Sequence, residues 1–216
     1  MPRRSALEQI EEIIARFART AVMAESAGFD GVQIHAAHGY LLSQFLSPKS
    51  NHRRDKWGGS AANRRRLLFE IIHAVRRATH PGFLVGIKIN SQDFLVGGTT
   101  EAEIVDLLSR LANDHEEEDA SSGFDVVSEG DSSDGDAPDA ASIVDFVEIS
   151  GGTYENFKAF QEAPNVREST QIREGFFMQF AELVHKHIGD KLPLMYVTTV
   201  GVHAVDVVLR CWRMHM

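Results

Sequence analysis

Apolar positions recur along this chain in blocks that alternate between helical and strand spacing. Ile10, Ile13, Ile14, Phe17, Ala21 and Ala24 fall at three- and four-residue steps and predict an amphipathic helix, with Ser5 and Glu8 as a capping box at its start. Gly28 supplies a left-handed stop, and the β-favouring run Phe29 to Ile34 follows as a strand. After a loop, Ser60 caps a second helix whose stripe is Leu67, Leu68, Ile71, Ile72 and Val75, ending near Thr79 to Gly82, and Phe83 to Ile89 is the next strand. Thr100 and Glu103 form another capping box ahead of Ile104, Val105, Leu107, Leu108 and Leu111. Val144 to Ile149 predicts a third strand. Glu174 to Ile188 predicts a helix carrying Phe176, Phe177, Phe180, Val184 and Ile188, and Leu194 to Val197 a fourth strand.

Strands that alternate with long helices imply right-handed βαβ units and a parallel sheet, because a parallel neighbour needs a crossover long enough to hold a helix. The fold class is therefore α/β, as an open doubly wound sheet or part of a (β/α)8 barrel. No G-x-G-x-x-G follows any strand, so the dinucleotide-binding form of the open sheet lacks its fingerprint. The pattern gives four strands, where a full barrel has eight.

Residues 113–142 break the alternation. They are rich in Asp, Glu, Ser and Gly and offer Phe124, Val126 and Val127 as their bulky apolar side chains, too few to offset the entropy of ordering such a stretch. A disordered acidic insertion within a single domain spanning 1–216 is expected. This stretch also locates the charge: of the formal −9 at pH 7, eleven acids lie between Asp114 and Asp139 with no Lys or Arg among them, and the remainder is nearly neutral. Arg64, Arg65 and Arg66 are the one basic cluster, read as a solvated helix face, so neither a nucleic-acid footprint nor a basic membrane surface is supported. With no apolar run of spanning length, no signal-peptide core at the N-terminus and Cys211 as the single cysteine, the expected location is the cytoplasm, and redox chemistry would need a bound cofactor.

Chemistry concentrates directly after the first strand, where parallel α/β sheets place their ligands. His35 and His38 can both donate hydrogen bonds to one oxygen or anion, and Tyr40 offers a proton from a group that stays neutral near pH 7. An oxygen clamp with an adjacent proton donor is one reading. A structural role for the histidines is another. A metal site is the weakest, since His-x-x-His needs a third ligand and neither H-E-x-x-H nor paired cysteines occur.

These residues also carry a resemblance. The run AGFDGVQIHAAHGYLLSQFLSP at 27–48 is similar to the fourth barrel strand and following loop of the old yellow enzyme family of flavin mononucleotide (FMN)-dependent NAD(P)H oxidoreductases. NHRRDKWGGSAANR at 51–64 resembles the family's N-x-R-x-D-x-[WY]-G-G-S-x-x-N-R segment, VGIKIN at 85–90 its fifth strand, and VEISGGTYE at 147–155 the end of its sixth. The resemblance implies FMN as cofactor and NAD(P)H as reductant. It also implies an activated alkene or quinone as substrate, with His35 and His38 binding its carbonyl or nitro oxygen above the flavin and Tyr40 delivering the proton. Lys88 lies where the family carries a cation beside the flavin ring; the plainer reading is a lysine snorkelling from a strand end. Arg54, Asp55 and Trp57 are expected to hold the long loop, with Gly58 and Gly59 serving its turn.

The match covers about half of a barrel, strands four to seven. The family's first three strands and its eighth have no counterpart, and VTTVGVH at 197–203 stands where the family has a loop with a glycine pair and an arginine around the flavin phosphate. Weak FMN binding, or none, is therefore expected, together with exposed strand edges and apolar surface that a second copy or another chain would cover. The alternative function is a non-catalytic half-barrel that associates with another polypeptide.

Overall fold

In the computed structural model, residues 7–113, 142–152 and 179–196 are described. The elements run α1 (Leu7–Ser26), β1 (Gly31–Ala36), α2 (Leu41–Leu46), α3 (Ala61–Ala78), β2 (Leu84–Asn90), α4 (Glu101–Asn113), β3 (Phe146–Ser150), a helical segment at 179–188, a single 3-10 turn (Gly189–Lys191) and β4 (Leu194–Tyr196). The sheet order is β1-β2-β3-β4, and every neighbouring pair is parallel. Strands added one after another, with no reversal of order, have no switch point; they form the arc of a barrel rather than a doubly wound sheet.

The helix signals hold where they can be inspected. Gly28, at φ +86°, ends α1: its N–H donates to Glu25 O and that of Phe29 to Ala24 O, the paired bonds of a Schellman stop. The cap takes up Phe29, so β1 starts two residues later than its β-favouring run suggests. Ser60 caps α3 by accepting the N–H of Asn63, and Thr100 and Glu103 exchange side-chain-to-backbone bonds ahead of α4. The third strand likewise starts late, at Phe146 rather than Val144: the Ser142 hydroxyl donates to Val144 O, and the Asp145 carboxylate accepts Val85 N–H and Arg76. α2 is a six-residue helix inside what reads as loop, with Leu42, Phe45 and Leu46 buried. Ser5, nearly all of the acidic insertion, Phe176, Phe177 and the 197–203 segment lie outside the described residues.

One face of the sheet packs under the helices. Ile34, Ala36, Val85, Ile87, Ile89, Val147 and Ile149 are buried there against Leu67, Ile71, Val75, Ile104, Leu108, Phe180 and Val184. The other face alternates with it and is polar: Gln33 and His35 on β1, Gly86 and Lys88 on β2, Phe146 and Glu148 on β3. Phe146 lays its ring over Gly86, where a Cβ would come within 2.2 Å of it. The inner face of the described strands thus carries Gln33, His35, Lys88 and Glu148 beside the apolar Leu84 and Phe146. Among the described residues the exposed large apolar side chains include Leu7 and Met23 on α1, Leu84 at the start of β2 and Val96 in the loop after it.

The arginine cluster on α3 is not the solvated face its charge suggested. Arg64 and Arg65 are buried. Arg64 donates from Nε to Leu46 O at 2.8 Å and from Nη1 to Gly59 O at 2.6 Å, and pairs through Nη2 with Glu103, while Arg65 Nη1 meets Asp106 at 2.6 Å. Both arginines precede the apolar stripe by three or four residues, so helical geometry places them on its face, where they join α3 to α4.

Candidate functional site

The site stands at the C-terminal ends of β1, β2 and β3. His35 is the penultimate residue of β1 and is partly exposed on the polar face. Its Nδ1 accepts the Ala37 N–H at 3.2 Å, which assigns the neutral ring the tautomer with a proton on Nε2. His38 follows in the left-handed region at φ 62°, a conformation uncommon outside glycine, and Gly39 continues it at φ 77°. These two residues turn the chain back over the strand end. The His38 ring stands edge-on to His35 with centroids 5.1 Å apart, and Tyr40 stands edge-on to His35 at the same separation. The three groups singled out in the sequence therefore meet around His35.

Two residues that sequence reasoning did not single out hold the turn. Asn90, buried at the end of β2, accepts the His38 N–H through Oδ1 at 3.2 Å and donates to Gly152 O at 2.9 Å. Ser150, at the end of β3, lies with its hydroxyl 2.6 Å from His38 Nε2. With the serine donating, the neutral His38 ring carries its proton on Nδ1 and keeps a donor for a ligand. The available signal was positional, because Asn90 and Ser150 are in register as the last residues of adjacent strands.

His35, Lys88 and Glu148 are register partners across β1, β2 and β3. Lys88 Nζ donates to Glu148 Oε1 at 2.5 Å, and Gln33 Nε2 donates to Glu148 Oε2 at 3.0 Å. Lys88 is thus ion-paired rather than snorkelling. Partial burial holds the His35 imidazole below its ordinary pKa, with the Lys88 charge adding to this and Glu148 opposing it. His38 is lowered as well, first by burial and then by His35 and Lys88, again against Glu148. Both shifts favour the neutral imidazole, which donates a hydrogen bond without bringing a charge.

The loop after α2 is secured chiefly by Asn51, which donates to the Phe45 and Trp57 carbonyls at 2.7 and 2.8 Å. Asp55 accepts Arg53 and the Trp57 N–H, and Trp57 is buried, as expected of loop-holding residues. Arg54 does not share that role. It is exposed, and its neighbour Arg53 makes the contact with Asp55. Gly58 abuts Arg53 so closely that a Cβ would lie 2.6 Å from its backbone oxygen, and Gly59 takes φ +84°. Among the described residues no group of three or more His, Cys, Asp or Glu side chains could hold a metal ion. Nor is any described helix long and apolar enough to cross a membrane.

The profile of the NADH:flavin oxidoreductase / NADH oxidase family matches residues 2–137. The chain belongs to that family, the old yellow enzyme group. It is 38% identical over 184 residues to an NADH-dependent flavin oxidoreductase of Aspergillus parasiticus, covering 85% of this chain and 35% of that protein. It is 41% identical over 123 residues to an NADPH dehydrogenase of Clostridium acetobutylicum, covering 56% and 36%. Among solved structures, a 2-naphthoyl-CoA reductase in complex with 2-naphthoyl-CoA superposes with a TM-score of 0.66 at 27% identity, over 90% of this chain and 24% of that one. Morphinone reductase in complex with tetrahydroNAD shares the fold with a TM-score of 0.60 at 21% identity, over 97% and 44%. The chain spans about a third of the length of both curated relatives. The described strands correspond to an arc of the barrel.

His35 Nε2–H, the second histidine and the Lys88 ammonium lie near one another and would offer hydrogen bonds and positive charge to the electron-rich atoms of a flavin ring.

Proposed function

We propose that this protein works as an old yellow enzyme-type reductase of electron-poor alkenes, enones, nitroalkenes or quinones, with FMN as cofactor and NAD(P)H as reductant. The observation that carries the proposal is the meeting of two histidines and a tyrosine around one strand end, beside a lysine. When bound, the flavin supplies the hydride that reduces the β-carbon of the alkene. His35 and His38 hold the carbonyl or nitro oxygen of the substrate through their ring N–H donors and polarise it. Tyr40 gives its phenolic proton to the α-carbon, which completes reduction of the double bond. Lys88 would hold positive charge beside the ring of a bound flavin.

Tyr40→Phe tests the reading. The proton is needed only when the alkene is reduced, so stopped-flow kinetics should find flavin reduction by NAD(P)H within about twofold of wild type and alkene reduction slowed at least tenfold, within the usual span of general-acid contributions. Equal slowing of both halves assigns Tyr40 to cofactor positioning and removes it as the proton donor.

A further inference from the structure

The proposed reaction gives Glu148 no task, yet its carboxylate is largely buried and touches two side chains from two other strands. One oxygen takes the Lys88 ammonium at 2.5 Å and the other the Gln33 amide at 3.0 Å. A carboxylate on a strand whose neighbours Val147 and Ile149 are buried, aimed into the inner face, is costly unless its partners repay it. We propose that Glu148 is a positioning residue that clamps Lys88 at the level of His35 and offsets the field of its ammonium on the oxygen-binding pair.

Without the clamp, the flexible four-carbon stem of Lys88 would leave its charge free to move, and the full charge would act on both imidazoles. Among the described residues, the titratable groups that face His35 are His38 and Tyr40 from the following turn, Lys88 from β2 and Glu148 from β3. Of these, Lys88 and Glu148 form an ion pair and act on the histidines with opposite sign, so losing the lysine and losing the carboxylate move the histidines in opposite directions. The consequence for the flavin rests on the function proposed above. The coupling itself does not.

NMR titration of the histidine side chains in the flavin-free chain is the test. Glu148→Gln should move the His35 and His38 midpoints down and Lys88→Met should move them up, with His80, at the opposite end of the sheet, unchanged in both. In flavin-loaded protein Glu148→Gln should raise the two-electron potential, since a less compensated lysine favours the anionic reduced ring. Histidine midpoints that stay in place or rise in Glu148→Gln overturn the proposal. Should that variant fail to fold, Lys88→Met decides alone, and an unchanged or lower His35 midpoint is the overturning result. A chain that binds no flavin but shows the two opposite shifts would sink the reductase reading and leave the role of Glu148 standing.

Discussion

Arg64→Met removes the guanidinium that joins three parts of the molecule while keeping an apolar stem of similar length. The side chain is 8% exposed and donates to the carbonyls of Leu46, at the end of α2, and Gly59, before α3. A buried carbonyl left without its donor costs about 1–3 kcal/mol, which applies in full to Leu46 O and in part to Gly59 O. The Glu103 carboxylate is 31% exposed, so it can rehydrate, and loss of the ion pair itself adds about 1 kcal/mol at most. The carbonyls therefore dominate, and the sum is about 2–4 kcal/mol, a large share of the roughly 5–15 kcal/mol that holds a domain together. Urea unfolding followed by circular dichroism reads this as a midpoint lowered by about 1–2 M for a slope near 2 kcal/mol per M. Glu103→Gln is the control: it removes the ion pair while the guanidinium keeps both carbonyls, and it should cost less than Arg64→Met. Equal losses in the two variants, or a loss below about 1 kcal/mol for Arg64→Met, would refute the assignment of the stability to the carbonyls.

Gly86→Ala places a methyl group 2.2 Å from the Phe146 ring and should destabilise by about 1–3 kcal/mol, with Phe146→Leu in the same chain recovering most of the loss in urea unfolding. Replacing residues 114–141 by a short Gly/Ser linker should leave thermal stability nearly unchanged: Leu111 O already accepts the Ile143 N–H at 3.1 Å and the Ser142 hydroxyl at 3.0 Å, so the two ends of the insertion meet, and loop length adds only slowly to closure entropy. A large fall in melting temperature would mean that the insertion packs. His35 and His38 have folded-state pKa values below the unfolded 6.5, so the unfolded chain takes up their protons first. Their contribution is present above pH 6.5 and is lost as pH falls from there through the lower folded values; stability measured at stepped pH should decline over that window, and less so in the His35→Ala, His38→Ala double variant.

Local chemistry was legible and long-range chemistry was not. The caps at Ser60, Thr100 and Gly28 each depend on residues a few positions apart, and His35, His38 and Tyr40 lie within six residues of one another, so sequence spacing alone brought them together. Glu148, Ser150 and Asn90 reach the site across strand register, over sequence separations of 115, 112 and 52 residues to Gln33 and His38. No local pattern announces such a contact. Glu148 does break the apolar run of β3 at an alternate position, which is the period-two mark of a side chain turned to the inner face. Arg64 and Arg65 are buried despite their charge because both fall on the stripe of Leu67, Leu68, Ile71 and Ile72, so periodicity rather than charge decides their environment.

The central claim is that the C-terminal end of this sheet is a flavin site whose histidines bind an oxygen. Titration of the 216-residue chain with FMN, followed by quenching of flavin fluorescence, addresses it most directly. The sequence at 197–203 lacks the glycine pair and arginine that would hold the phosphate, and each such charge-assisted bond is worth roughly 1.5–3 kcal/mol, so binding should saturate at one site per chain with a Kd of about 1 μM or weaker. Lys88→Met should weaken it further. No saturable quenching at millimolar FMN, or saturable binding that Lys88→Met and the His35→Ala, His38→Ala double variant leave untouched, would contradict the account.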